Sequence, residues 1–416
     1  MNTPLQPNLL RAFEAVSIRR VRLWGGVFLG IWMLWGVADW GCRFGLFHWQ
    51  QAWISDKPTV PAKGAGATSM EPVYDEVEAQ MGSALSQMIP LPWRRAAYED
   101  WHPAYGYWRD SAGYINPPLP TGASWRGIVV GDSFMISLGT QTFASVLGTV
   151  ANAPVYNRAR QAQGPFLELR RCISTPPLDP MPPYIIWNLT ARELGKNLFQ
   201  RQDIERWFAH TAPSSKASAP TAYRRIDWSQ LQPRTLAKAW PNSSLTAYMA
   251  RKSWAALRLL IFREWPQDVL GGEDPQFGPM LFYRENLRTF RTVSVADAPV
   301  IADVVGKVAQ ELRKRHIELI VLLVAEKEQL YTQALPEKEQ PAVQTSIALL
   351  DAVATELSKR HIHRVHLLPI FQQATAEGIP VYWRDDTHWN DIGMHLAATA
   401  LLREVPEFSL APEMNP

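Results

Sequence analysis

The stretch Gly127-Ile128-Val129-Val130-Gly131-Asp132-Ser133-Phe134 (GIVVGDSF) decides the fold of this chain. Gly127 to Val130 is a short apolar run without alternation, the pattern of a strand buried on both faces. Gly131-Asp132-Ser133 ends it, and Phe134 to Val150 is apolar with helical spacing. A strand that turns on Gly-Asp-Ser into a helix puts the serine hydroxyl at the carboxyl end of a sheet, where open α/β folds bind ligands. A helix head and nearby amide N–H groups can stabilise an oxyanion there. The same residues also fit a plain structural role, with Asp132 and Ser133 capping the helix.

The pattern repeats outward from this stretch. Val155 to Asn157, Tyr184 to Leu189, Ile317 to Val324 and His363 to Pro369 read as further strands. Val300 to His316, Thr345 to Lys359 and Ile392 to Glu404 carry apolar residues three and four apart and read as helices. Buried strands alternating with helices predict an α/β fold with a parallel sheet covered on both faces.

A second motif, Tyr382-Trp383-Arg384-Asp385-Asp386-Thr387-His388-Trp389-Asn390, precedes the last helix. A serine hydroxyl is a weak nucleophile at neutral pH. It needs an imidazole to take its proton and a carboxylate to hold that imidazole in the right tautomer. An Asp-Thr-His turn supplies both, although a polar turn capping the final helix would look the same. Both motifs fall at strand-to-helix junctions, which joins them into one hypothesis. Other candidates are weaker. His361, His363 and His366 lack acidic partners for a metal and lead into a buried strand, so no metal site is expected. Lys327 and Tyr331 read as solvated loop residues, with a place facing the site as the alternative, and Arg192 fits either an anionic-sugar contact or a loop cap.

The two motifs resemble the first and last blocks of the SGNH hydrolases. Val381 to Ala398 (VYWRDDTHWNDIGMHLAA) is similar to the Asp-x-His-Trp segment of the bacterial alginate-type polysaccharide O-acetyltransferases, as are Pro183 to Leu194 (PYIIWNLTAREL) and Val324 to Pro336 (VAEKEQLYTQALP). The resemblance implies a flavodoxin-like SGNH-hydrolase α/β/α sandwich, with Ser133 as nucleophile, His388 as base and Asp386 as orienting carboxylate. The wider superfamily often places its carboxylate three residues before the histidine, which here is Asp385; the Asp-Thr-His-Trp spelling favours Asp386. Ser133, Gly164 and Asn188 take the oxyanion positions, and Arg192 and Trp389 take substrate-binding ones. No cofactor is implied. Two departures stand out. The serine motif reads Gly-Asp-Ser rather than Gly-Thr-Ser, and it precedes Asp-x-His, whereas the alginate enzymes have the reverse order. Alginate itself is therefore not implied as the substrate.

Composition bounds the rest. The chain has 416 residues, 47% of them hydrophobic and 19% charged, so it can bury a sizeable core. A net charge of +3 without a long basic run argues against a nucleic-acid partner. The 18 tryptophans suit either packing or stacking on sugar rings. Cys42 and Cys172 make neither a disulfide framework nor a metal pair. Arg11, Arg19, Arg20 and Arg22 precede the apolar run Leu23 to Ala38, which predicts one N-terminal transmembrane helix, retained as a signal-anchor, with the N-terminus in the cytoplasm. No small-x-small cleavage site follows it.

The expected organisation is a cytoplasmic N-terminus (1–22), a transmembrane anchor (23–49), a linker (50–90), an SGNH domain in two parts (91–194 and 296–416) and a mainly helical insertion (195–295). The expected function is a periplasmic O-acetyltransferase at the bacterial inner membrane. It would acetylate exopolysaccharide hydroxyls through an acyl-Ser intermediate, supplied by a membrane-bound acyltransferase partner within a polysaccharide synthesis and secretion complex. A carbohydrate acetylesterase and a non-catalytic polysaccharide-binding scaffold are the alternatives.

Overall fold

The computed structural model describes residues 26–37, 73–136, 141–194 and 245–409, apart from some positions inside these ranges. The expectations for 1–22, for most of the anchor 23–49 and for 195–244 fall outside the described residues. Among the described residues no helix is long and apolar enough to cross a membrane. The chain divides into two compact units. One comprises 1–62 and 222–257, of which short helical pieces are described; the other comprises 63–221 and 258–416.

The second unit is built on a five-stranded parallel sheet in the order His363–His366, Glu318–Val324, Tyr184–Thr190, Gly127–Val130, Val155–Asn157. In chain order this is 2-1-3-4-5, the flavodoxin-like arrangement. Leu319 to Val324 are buried at consecutive positions, which requires cover on both faces of the sheet. The helices Phe143–Ala151 and Asp391–Glu404 pack on each other, and Ala298–Arg313 packs on Gln340–Lys359. The winding direction switches between Gly127–Val130 and Tyr184–Thr190. The carboxyl ends of these two neighbouring strands lead into Ser133 and Arg192.

Three boundaries differ from the sequence reading. The last strand stops at His366, and Leu367 to Pro369 open the helix Leu367–Ala376, whose first turn tolerates a proline without losing a ladder bond. Residues 80–90, read as part of a linker, are packed instead: Ser83, Leu85, Ser86 and Ile89 are buried. Leu85 and Ile89 close a small cluster with Leu259, Val269 and Leu281. Within the range read as an insertion, the hairpin Val269–Asp274/Gly278–Tyr283 and the helix Arg284–Phe290 place Leu270, Met280, Phe282, Leu287 and Phe290 in the main core. This segment interrupts the βα rhythm but is part of the core.

Candidate active site

Ser133 opens the helix Ser133–Ile136 immediately beyond the strand Gly127–Val130. The turn depends on Gly131. A Cβ there would come within 1.9 Å of Asn188 Oδ1 and 2.7 Å of the Met135 side chain. Asp132 Oδ1 accepts the Phe134 N–H at 3.0 Å, which tightens the corner.

The histidine comes from a turn closed by an antiparallel bridge between Tyr382 and Trp389 and by the Trp383 N–H donating to the His388 carbonyl. The Asn390 side chain accepts from the Gly393 N–H and caps the helix Asp391–Glu404. Within the turn Asp386 Oδ1 accepts both the His388 backbone N–H (2.9 Å) and His388 Nδ1–H (2.5 Å). His388 Nε2 then lies 2.8 Å from Ser133 Oγ. Two motifs 255 residues apart thus form one relay, Ser133–His388–Asp386. Burial works to raise the Asp386 pKa, but the His388 charge and its two hydrogen bonds outweigh burial and hold the carboxylate below its ordinary range. An ionised Asp386 fixes His388 in the tautomer whose Nε2 is free to accept the serine proton.

Asp385 does not reach His388. Its carboxylate turns to His102 Nε2 (3.0 and 3.3 Å) and to the Asp100 N–H (3.2 Å). The assignment of Asp386 rather than Asp385 as the triad acid therefore has a geometric basis.

Two residues expected to be solvated are buried. Lys327, placed by the turn after the strand Glu318–Val324, is fully enclosed. Its Nζ donates to the carbonyls of Leu281 (2.8 Å), Trp383 (2.7 Å), Arg384 (2.7 Å) and Asp386 (3.0 Å). Burial pushes its ammonium down to about 8, opposed by the charges of Asp385, Glu328 and Asp386. Tyr331 is also buried, and its hydroxyl accepts the Val381 N–H.

Trp389, expected to bind substrate, is placed in the core. It is fully buried, donates its indole N–H to the Phe134 carbonyl (2.8 Å) and packs against Phe134, Phe143 and Phe371. A ring enclosed this way holds the two catalytic motifs together and has no face left for a sugar. Arg192 is partly exposed and spans Asp132 Oδ2 (2.8 Å) and Glu326 Oε1 (3.5 Å), with its guanidinium 5.2 Å from the Phe134 ring centre. Burial would lower its pKa, but Glu326 and Asp132 outweigh that and raise it. Around it lies an acidic group with no counterpart in the sequence reading: Glu193, Glu326 and Glu328, with Asn286 donating to both Glu326 and Glu328. Burial raises all three carboxyls, Glu328 to about 7.

Asn188 is fully buried, and its Nδ2 donates to Asp132 Oδ1 at 3.2 Å. One of its two amide hydrogens is thereby engaged. Gly164 sits at the head of the helix Pro165–Ser174, where its carbonyl accepts the Leu167 and Glu168 N–H groups, and the space beside its Cα is open. Of the other histidines considered, His363 lies 3.9 Å from Glu407 and His366 lies 3.5 Å from Asp351, on separate partners. His102 gave no local signal: it meets Asp385 across 283 residues of chain.

Residues 280–415 match the family described as SGNH hydrolase-like domain, acetyltransferase AlgX. This is about a third of the chain, and it includes Asp386 and His388 but not Ser133. A probable alginate O-acetylase AlgJ of Pseudomonas fluorescens is 28% identical over 160 residues, 37% of this chain and 37% of that protein. One from Pseudomonas putida KT2440 is 29% identical over 167 residues, 38% of this chain and 39% of that protein. The chain thus spans well under half the length of these curated relatives. Among solved structures, a lipase/acylhydrolase from Enterococcus faecalis aligns at 9% identity and a TM-score of 0.34, covering 68% of this chain and 95% of that one. A putative lipolytic protein of the G-D-S-L family from Desulfitobacterium hafniense aligns at 10% and 0.32, covering 68% and 100%. The chain is SGNH-hydrolase-like and resembles the alginate-type O-acetyltransferases.

Proposed function

We propose that the protein is a serine O-acetyltransferase that moves acetyl groups to polysaccharide hydroxyls through an acyl-Ser133 intermediate. The observation that carries this reading is the relay from Ser133 Oγ through His388 to Asp386 at 2.8 and 2.5 Å. The partial matches to probable alginate O-acetylases support acetyl as the group moved and a polysaccharide hydroxyl as its acceptor.

In the first half-reaction Ser133 Oγ attacks the acetyl carbonyl of the donor while His388 Nε2 takes the serine proton. The negative oxygen that forms is held by the Ser133 N–H at the helix head, with Gly164 and Asn188 as the further donors. The tetrahedral adduct collapses as the His388 proton passes to the leaving group, and acetyl-Ser133 remains. In the second half-reaction a sugar hydroxyl gives its proton to His388 as its oxygen attacks the acyl carbon. Collapse releases the acetylated sugar, and the proton returns to Ser133 Oγ. Asp386 holds the imidazole throughout and stabilises its charged form. Arg192 lines the approach and would meet an anionic sugar.

The four arginines ahead of the apolar run Leu23 to Ala38 support an inner-membrane anchor with the catalytic unit in the periplasm. Acetyl-CoA is absent there, so a membrane-bound acyltransferase partner, working with the polysaccharide synthesis and secretion machinery, would supply the acetyl group.

Water attacking acetyl-Ser133 would give an esterase instead, so the test is the acceptor. The protein is incubated with p-nitrophenyl acetate and a panel of oligosaccharides, and the sugars are analysed by mass spectrometry. Acetylated sugar, with slow donor hydrolysis in its absence, is expected. Rapid hydrolysis with no acetylated sugar, together with loss of acetate from pre-acetylated polymer, would replace the transferase reading with the esterase one.

A further inference from the structure

The catalytic turn carries two successive carboxylates, and only one serves His388. The geometry points to the other, Asp385, and its partner His102 as positioning residues that hold the triad turn against a segment of chain lying ahead of the catalytic core. This inference rests on the assignment of Ser133, His388 and Asp386 above.

The contacts form a clasp. Asp385 is fully buried, and its two oxygens accept from His102 Nε2 and the Asp100 N–H. Its carbonyl accepts the Ser83 hydroxyl. One residue earlier, the Arg384 N–H donates to Asp100 Oδ2 (2.6 Å) and its guanidinium to Asp100 Oδ1 (2.8 Å). The His102 ring packs 4.5 Å from that of Trp383. Residues 83, 100 and 102 thus grip 383 to 385 through side chains and backbone, one residue from the triad acid. The segment is itself fixed, because Gln80–Met81 pairs with Trp101–His102.

A buried carboxylate without partners is costly, and burial raises the Asp385 pKa. Two donors, His102 Nε2–H and the Asp100 N–H, work against burial by favouring the ionised form. Burial also opposes charge on His102, but Asp385, with Asp386 and Asp100 beyond it, outweighs burial and raises the imidazole pKa. Either form of His102 can donate Nε2–H, so the clasp needs the hydrogen-bond donor rather than the charge. The relay needs Asp386 Oδ1 at a fixed distance from His388, and small misplacements of a catalytic group cost rate steeply. A turn released at Asp385 would let Asp386 drift from His388. The imidazolium that forms during turnover would lose part of its stabilisation. The groups facing His388 are Asp386 on its own turn, Ser133 on the serine helix and the buried Glu326 carboxyl after the strand Glu318–Val324. None of these changes when His102 is replaced.

The test uses the full-length chain and p-nitrophenyl acetate, with kcat, KM and the pH profile measured for four variants. His102→Asn keeps polarity but is too short to place a donor at the Nε2 position, whereas His102→Gln reaches it. His102→Asn is expected to lower kcat about 10- to 100-fold with KM within about threefold, and to move the acid limb of kcat/KM to lower pH by about half a unit to one unit. His102→Gln should stay within about threefold of wild type with the limb in place. If His102→Asn does not fold, Ser83→Ala, which removes the hydroxyl from the Asp385 carbonyl and also from the Asp386 side chain, should lower kcat several-fold with the same shift of the limb. A folded His102→Asn protein with wild-type kcat and limb would overturn the inference. So would a loss that His102→Gln does not repair, or an unmoved limb in Ser83→Ala when that variant stands in. Ser133→Ala is measured in parallel: full activity in that variant would overturn the triad assignment itself, whatever the clasp variants do.

Discussion

Replacing Lys327 with methionine removes a buried ammonium beneath the triad turn and leaves a side chain of similar length. Two effects oppose each other. Burial lowers the Lys327 pKa from 10.5 to about 8, a cost of roughly 3 kcal/mol at about 1.4 kcal/mol per pH unit, and methionine recovers it. Against this, four carbonyls lose their ammonium donor. The Arg384 carbonyl keeps the Leu281 N–H at 2.7 Å, but the Trp383 and Asp386 carbonyls have no other donor among the described residues. A hydrogen bond to a charged group contributes about 1.5–3 kcal/mol, and each buried carbonyl left unpaired costs about 1–3 kcal/mol. Losing four such bonds, two of them to carbonyls with no other donor, outweighs the recovered desolvation, and a net destabilisation of about 1–4 kcal/mol is expected for Lys327→Met. The turn would also lose its fixed depth, so kcat should fall about 10- to 100-fold with KM little changed. Urea denaturation and p-nitrophenyl acetate turnover measure the two effects on the same preparation. Equal stability together with unchanged kcat would refute the reasoning.

Other substitutions separate neighbouring residues by role. Asp386→Asn should lower kcat about 10⁴-fold by favouring the wrong His388 tautomer, and Asp385→Asn should lose far less; steady-state kinetics that reversed this order would reassign the triad acid. Trp389→Ala should cost about 3–5 kcal/mol in chemical denaturation, because the ring is fully enclosed, while a dominant rise in sugar KM would return it to the binding surface. Glu328 is raised to about 7 in the folded chain, so it favours folding fully below its unfolded value of 4.5 and loses that contribution as pH rises through about 7. Relative to Glu328→Gln, the wild type should therefore lose about 3 kcal/mol between pH 4.5 and pH 8 in urea titrations; a pH-independent difference would mean that Glu328 does not titrate there.

Much of the sheet was legible in the sequence because each strand is a short apolar run ended by a polar turn. Glu318 to Val324 has its six apolar residues buried in succession, and no periodicity was needed to find it. The two catalytic motifs were legible because each holds its chemistry within a few residues, although only Gly-Asp-Ser lies at the expected strand-to-helix turn; Asp-Thr-His lies in the loop between the helices Leu367–Ala376 and Asp391–Glu404. What escaped was everything decided by distant partners. Lys327 looks like any solvated lysine until the carbonyls of Leu281, Trp383, Arg384 and Asp386 close over it. Asp385 and Asp386 are adjacent and alike, and His102 separates their roles from far along the chain. Trp389 suggested sugar stacking because aromatic residues serve cores and glycans equally well, and only packing against Phe134, Phe143 and Phe371 decides between them. The hairpin Val269–Asp274/Gly278–Tyr283 was grouped with an insertion because it breaks the βα rhythm, yet its inward side chains join the core.

The account stands on Ser133 accepting an acyl group from a donor and passing it on. Its most direct test is peptide mass spectrometry of protein quenched in acid within the first turnover of p-nitrophenyl acetate. One acetyl group on the peptide that contains Ser133 is expected. It should be absent in Ser133→Ala, accumulate without sugar, and disappear when an acceptor oligosaccharide is added. An unmodified Ser133 at every time point, in protein that still releases p-nitrophenol, would contradict the account.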